Sequence, residues 1–174
     1  MTNFDKIVKY MYIMKSDKYQ DKFINRCTHG DYKAIEYFLK HEKNTETRSR
    51  HEIGLYMACK NGYLNIIKLL CSHHNMEKFI KSKNVLEDIC TGGHIKILKW
   101  IYDVYTTKNI DVERLFQISI KYEQLEMAEF IFMNDRTIPV RFCLNVIEVI
   151  MLGNEHNIPK VKNFLMKLII KYNL

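Results

Sequence analysis

The chain is poor in the residues that turn β-strands: two prolines and six glycines in all, too few for a β-rich domain whose tight turns draw on both. Cysteine supplies no framework either. The five cysteines are odd in number and contain no Cys-x-x-Cys pair, and no charged-then-apolar leader opens the chain, so a reduced, intracellular, cytoplasmic protein without disulfides is expected. The longest apolar runs are short, as at Val149-Ile150-Met151-Leu152, far below the roughly 20 residues a membrane-spanning helix needs. Gly-x-Ser-x-Gly, His-Glu-x-x-His, the phosphate-binding P-loop and Gly-x-Gly-x-x-Gly are all missing, and Gly92-Gly93 alone is no phosphate cradle. The carboxylate pairs Glu87-Asp88 and Glu126/Glu129 read as solvated helix faces rather than general acids. No catalysis, cofactor or metal is therefore expected.

What is present points to a globular domain, since 47% of residues are hydrophobic and 27% charged. The net charge of +7 admits a nucleic-acid partner through attraction to phosphates. A plainer cause competes with it. Isoleucine, lysine, asparagine and tyrosine, the residues of AT-rich codons, make up more than a third of the chain. Lysine outnumbers arginine by 21 to 6, the wrong mix for a surface built for bidentate phosphate recognition.

Apolar residues recur three and four apart. Ile66, Ile67, Leu69 and Leu70, like Ile95, Ile97, Leu98 and Ile101, each form a stripe along one side of a helix, which predicts an all-α fold. The stripes belong to a repeat. The segment from Ala58 to Leu70, centred on Gly62, aligns position by position with Ile89–Ile101 around Gly93 and with Arg26–Phe38 around Gly30. A weaker copy at Ser119–Ile131 has Glu123 in the glycine slot, and a degenerate fifth runs through His156, Ile158, Val161, Phe164 and Leu165. Cys27, Cys59 and Cys90 fall in one equivalent slot, so they are small packing residues spaced by the repeat rather than converging ligands. Cys71, His73 and His74 have no second Cys/His pair at zinc spacing. The two histidines read as the polar end of a helix, where partial positive charge suits the dipole. Trp100 occupies an apolar slot filled elsewhere by Tyr37 and Leu69, as core or interface packing.

Two segments, Ala58-Cys59-Lys60-Asn61-Gly62-Tyr63 followed by Ile67 and Leu69-Leu70, and Gly93-His94-Ile95-Lys96-Ile97-Leu98-Lys99, resemble the ankyrin repeat, whose core reads A-A-x-x-G-H-x-x-x-V-x-x-L-L. The leucine of the family's T-P-L-H-x-A opening has counterparts in Phe23, Leu55, Leu86 and Phe116. The threonine, proline and histidine of that opening are missing, and polar segments such as His41–Arg48 and Thr106–Asn109 replace the Gly-Ala-x-x-Asn turn. The resemblance implies an all-α, ankyrin-like solenoid of stacked helix-turn-helix repeats with helical caps and with β-hairpin fingers reduced or absent. Its eroded, Lys/Ile/Asn-rich copies are similar to ankyrin-like proteins of large DNA viruses and of AT-rich protists.

A repeat domain over residues 1–174 is expected, with about ten or eleven helices and no sheet. Residues 1–18 form an N-terminal cap, in which Phe4, Ile7, Val8, Met11 and Tyr12 are spaced helically. A membrane-surface role for this basic segment stays open, although no tryptophan anchors it. Repeats are expected at about 19–48, 49–80, 81–110 and 111–138, with residues 139–174 as degenerate repeat and C-terminal cap. The resemblance implies a non-catalytic protein-interaction module, with partners held by the first helices of successive repeats. Carried over position by position, the exposed slots there are Asn25, Thr28 and His29, then Met57, Lys60 and Asn61, then Asp88 and Thr91, then Ile118, Lys121 and Tyr122. The partner is expected to be a protein, and the chain a scaffold or adaptor, possible alternatives being nucleic acid or a structural role without external ligand.

Overall fold

One turn, built four times, sets the architecture. In the computed structural model, which describes residues 22–41, 47–105, 110–134, 138, 145 and 158–171, each first helix ends in a residue with left-handed backbone. These are Gly30 (φ 78°), Gly62 (φ 83°), Gly93 (φ 69°) and Glu123 (φ 56°). The next residue returns its N–H to the carbonyl five positions back: Asp31 to Arg26, Tyr63 to Ala58, His94 to Ile89 and Gln124 to Ser119, at 2.7–3.0 Å. That six-to-one bond satisfies a carbonyl the helix end leaves open and reverses the chain. Glycine adopts the required φ without a Cβ penalty. Glu123 does not, so the fourth turn is the strained one.

The described residues form ten α-helices: α1 Lys22–His29, α2 Tyr32–His41, α3 Thr47–Lys60, α4 Leu64–His73, α5 Glu77–Ile80, α6 Lys83–Thr91, α7 Ile95–Val104, α8 Val112–Lys121, α9 Leu125–Asn134 and α10 Ile158–Lys171. No strand occurs among those residues. The pairs α1/α2, α3/α4, α6/α7 and α8/α9 are hairpins, and their first helices stack in order, α1 on α3, α3 on α6 and α6 on α8. The core runs through the stack because every hairpin buries apolar stripes against its neighbours. Phe23, Leu55, Leu86 and Phe116 sit at one equivalent slot and are all buried, as are Cys27, Cys59 and Cys90. Helix α10 closes onto α9 through the buried face Val161, Leu165 and Leu168.

Three local features fix the spacing of the hairpins. Gly54, in the middle of α3, lets α1 come close: a Cβ there would lie 2.8 Å from Cys27 Sγ and 3.0 Å from Phe23 Cε1. Asp31 and Asp111 cap α2 and α8, each accepting from a backbone N–H three residues on, Ala34 at 3.1 Å and Arg114 at 3.0 Å, which satisfies a donor the first turn leaves open. Between α4 and α6, where the resemblance implies a reduced or absent β-hairpin finger, the chain makes the four-residue helix α5 and buries Met76, Phe79 and Ile80. Of the polar segment expected at His41–Arg48, His41 ends α2 and Thr47 and Arg48 open α3; residues 42–46 and 106–109, the N-terminal cap and the His156 region lie outside the described residues.

Candidate partner-binding face

The ends of the first helices form a ladder, because equivalent slots on stacked helices repeat at each step. Thr28, Lys60, Thr91 and Lys121 share one rung position immediately before the turn, and His29, Asn61, Gly92 and Tyr122 share the next. Several of these side chains cap their own helix. Thr28 Oγ1 donates to the Ile24 carbonyl at 2.9 Å and Thr91 Oγ1 to Glu87 at 2.8 Å. Asn61 Nδ2 donates to Met57 at 2.8 Å, and the His29 ring Nδ1 lies 2.8 Å from the Asn25 carbonyl. Back-bonding of this kind satisfies helix-end carbonyls and leaves the hydroxyl and amide oxygens as acceptors.

Charge on the ladder is concentrated in two places. Lys60 and Lys121 are exposed, and neither is ion-paired with a carboxylate among the described residues. Lys121 lies 5.9 Å from the centre of the Tyr122 ring, which is 48% exposed. Some cations elsewhere are ion-paired: Arg26 with Asp31 at 3.1 Å, Arg114 with Glu87 at 3.1 Å, Lys160 with Glu123 at 3.1 Å and Lys171 with Glu129 at 2.8 Å.

The remaining expected contacts are less available. Asn25, Met57 and Asp88 are half-buried, Met57 packs against the core, and Ile118, expected as an exposed apolar anchor, is 6% exposed. These four share one slot, so it is a boundary position whose apolar occupants sink inward. Asp88 of α6 faces the buried Tyr56 of α3, whose hydroxyl is raised above the usual phenol range by burial first and by the nearby Asp88 carboxylate second.

Glu87, read from the sequence as a solvated carboxylate, instead bridges hairpins through Arg114 and also approaches Lys83 at 4.0 Å. Trp100 is partly buried against the core and meets Tyr105 edge-on, 5.8 Å between ring centres.

The turns themselves interlock from one hairpin to the next. Tyr63 lies over Gly30, His94 over Gly62 and Gln124 over Gly93, and the His94 ring Nε2 sits 2.9 Å from the Lys60 carbonyl. Glycine suits the slot for two reasons, its φ and the side chain of the next turn that lies on it. The sequence showed the glycine period; the spacing of His94 from Gly62 was the available signal for the contact.

Chemistry is quiet across these elements. Burial raises the Cys71 thiol to about 11 and Cys90 to about 12, leaving both protonated at neutral pH and unlike activated nucleophiles. No three His, Cys, Asp or Glu side chains among the described residues are grouped to hold a metal ion. A cleft of about 270 Å³ opens at the third and fourth turns, where its Lys160 is held by Glu123.

A family model for ankyrin repeats, in three copies, matches residues 23–114, more than half of the chain and the span of the first three hairpins. The chain belongs to the ankyrin-repeat family. No curated protein and no solved structure matches it significantly. As an ankyrin-repeat chain it is a protein–protein interaction module, in a family that is typically non-catalytic. No helix among the described residues of this ankyrin-repeat chain is long and apolar enough to cross a membrane.

Proposed function

We propose that the chain is a single ankyrin-repeat domain acting as a non-catalytic adaptor, with its partner held along the first-helix ladder. The observation that carries this reading is the pair Lys60 and Lys121, which occupy equivalent rungs of the stacked first helices, are both exposed, and are not ion-paired with any carboxylate among the described residues. Asn61 and Tyr122, beside them, add a polar group and an aromatic anchor of the kind that concentrates binding energy. Interhelical packing distances of roughly 8–10 Å per step set the rungs, so specificity comes from an extended surface rather than a pocket.

The finer reading is a viral adaptor that engages a host protein in the host cytoplasm; the AT-rich composition and eroded repeats support it. Reversing both charges with Lys60→Glu and Lys121→Glu is expected to abolish specific capture of the partner while circular dichroism reports unchanged helicity. Retention of every specific partner by the folded double variant would contradict the proposal.

The same two cations favour a second reading, nucleic-acid binding. It predicts affinity that falls steeply with salt; a duplex or single-stranded probe that shows no shift at low salt dismisses it.

A further inference from the structure

Helix α3 carries a histidine where the repeat has no use for one. His51 is 3% exposed, and neither ring nitrogen has a hydrogen-bond partner. Its ring lies against Phe23 of α1, 5.0 Å between centres, and against His74 at the end of α4, 4.7 Å. Buried polar groups are nearly always partnered, because an unmet donor or acceptor forfeits its hydration. An orphaned imidazole wedged between three helices is therefore a stressed element, and the stress depends on its proton.

We propose that His51 is a pH-sensitive latch on the first hairpin, whose protonation releases α1 and α2 from α3 and α4 while the later hairpins stay docked. Neutral imidazole fits the site: the ring faces apolar Phe23 and needs only to tolerate its missing bonds. An added proton creates a buried cation with two N–H donors and no acceptor. The charged and titratable groups around it make this worse. His74 and His73 approach from the end of α4 and Arg50 from its own helix, and each opposes a positive charge at His51. Arg50 itself lies over the Phe23 ring at 5.9 Å. From α1 the facing group is Phe23, which carries no charge. Glu52 follows His51 directly on α3, and adjacent helical residues do not face each other. Burial first, then those three neighbours, lower the His51 pKa to about 4.

Water relieves the cation only if the ring is uncovered, which means parting α1 from α3. A hairpin at one end of a stack of repeats opens at less cost than an inner one. The first hairpin is that element among the described residues.

Hydrogen-exchange mass spectrometry on the full chain tests the latch at about pH 7.5 and about pH 5, with exchange times corrected for intrinsic chemistry. Peptides from α1 and α2 are expected to open roughly tenfold or more faster at the lower pH, because each pH unit below the unfolded pKa favours the protonated open form tenfold. Peptides from α8 and α9 are expected to hold their protection. His51→Phe, which fills the site with an apolar ring, is expected to abolish the pH-dependent difference. NMR titration of the His51 ring in the unmutated chain gives an independent reading, with a midpoint well below that of free imidazole. Protection of α1 and α2 that ignores pH, an equal loss in His51→Phe, loss spread evenly to α8 and α9, or a His51 midpoint near 6.5 would each overturn the proposal.

Discussion

Replacing Gly62 by alanine probes the turn and the stacking of hairpins at once. The residue holds φ 83°, and an L-residue in that left-handed region costs about 1–2 kcal/mol. The new Cβ would also stand 2.7 Å from His94 Nδ1 and 2.8 Å from Cε1, so the ring must shift. Its contact with the Lys60 carbonyl, 2.9 Å, would then be lost, at a net cost of about 0.5–1.5 kcal/mol. Against this, alanine restricts the unfolded chain and returns about 0.4–1 kcal/mol. The balance is a destabilisation of about 2 kcal/mol. For a chain of this size each kcal/mol moves the melting temperature by about 2–4 °C, so a drop of about 4–8 °C is expected in far-ultraviolet circular dichroism. On a His94→Ala background the steric part vanishes and the cost of Gly62→Ala falls toward the backbone part alone. A Gly62→Ala protein that melts with the unmutated chain, or above it, would refute both the turn geometry and the interlock.

The fourth turn should respond with the opposite sign. Glu123 pays the left-handed penalty already, so Glu123→Gly relieves about 1–2 kcal/mol and loses about 0.5–1 kcal/mol to glycine's extra freedom when unfolded. Its ion pair with Lys160 is solvent-exposed and contributes about 0–1 kcal/mol; in a Lys160→Met background Glu123→Gly is expected to raise the melting temperature, and a clear fall would contradict the strain. Overall stability should also depend on pH through His51. Its folded pKa, about 4, lies below the unfolded value of 6.5, so the unfolded chain takes up the proton first as pH falls. Stability is then complete above about pH 6.5 and is lost toward pH 4, by roughly 2–4 kcal/mol in all. Urea titrations at a series of pH values, compared with His51→Phe, read this directly; parallel curves for the two proteins would remove His51 from the account.

The repeat made most of the stack legible. Three glycines at one slot marked the turns, and the shared slot of Phe23, Leu55, Leu86 and Phe116 marked the core, because a residue that packs the same way in each hairpin recurs at the same offset. Even the outlier Glu123 was placed correctly in the turn, since the six-to-one hydrogen bond imposes φ on whatever residue stands there. What the period does not cover was not legible. His51 lies in the N-terminal part of α3, before the aligned segment, so nothing in the repeat marked it as buried, and His74, taken as a polar helix end, packs on it instead. Ile118, Asp88, Met57 and Asn25 align perfectly, yet their burial differs because neighbouring side chains decide how far a boundary slot sinks. The α5 turn was hidden for a similar reason: Met76, Phe79 and Ile80 show no repeat counterpart and are buried by tertiary contact alone.

The central claim, a protein partner held on the ladder of first-helix ends, is tested most directly by site-specific photo-crosslinking in cells. A photoreactive amino acid is placed singly at Lys60, Asn61 or Tyr122, and for comparison at Asn65 or Lys68 on the second helix α4, all exposed positions. The account predicts one discrete protein adduct shared by the three ladder positions and missing from the two on α4. Adducts that form equally from α4, or ladder positions that yield only nucleic acid or nothing, would contradict it.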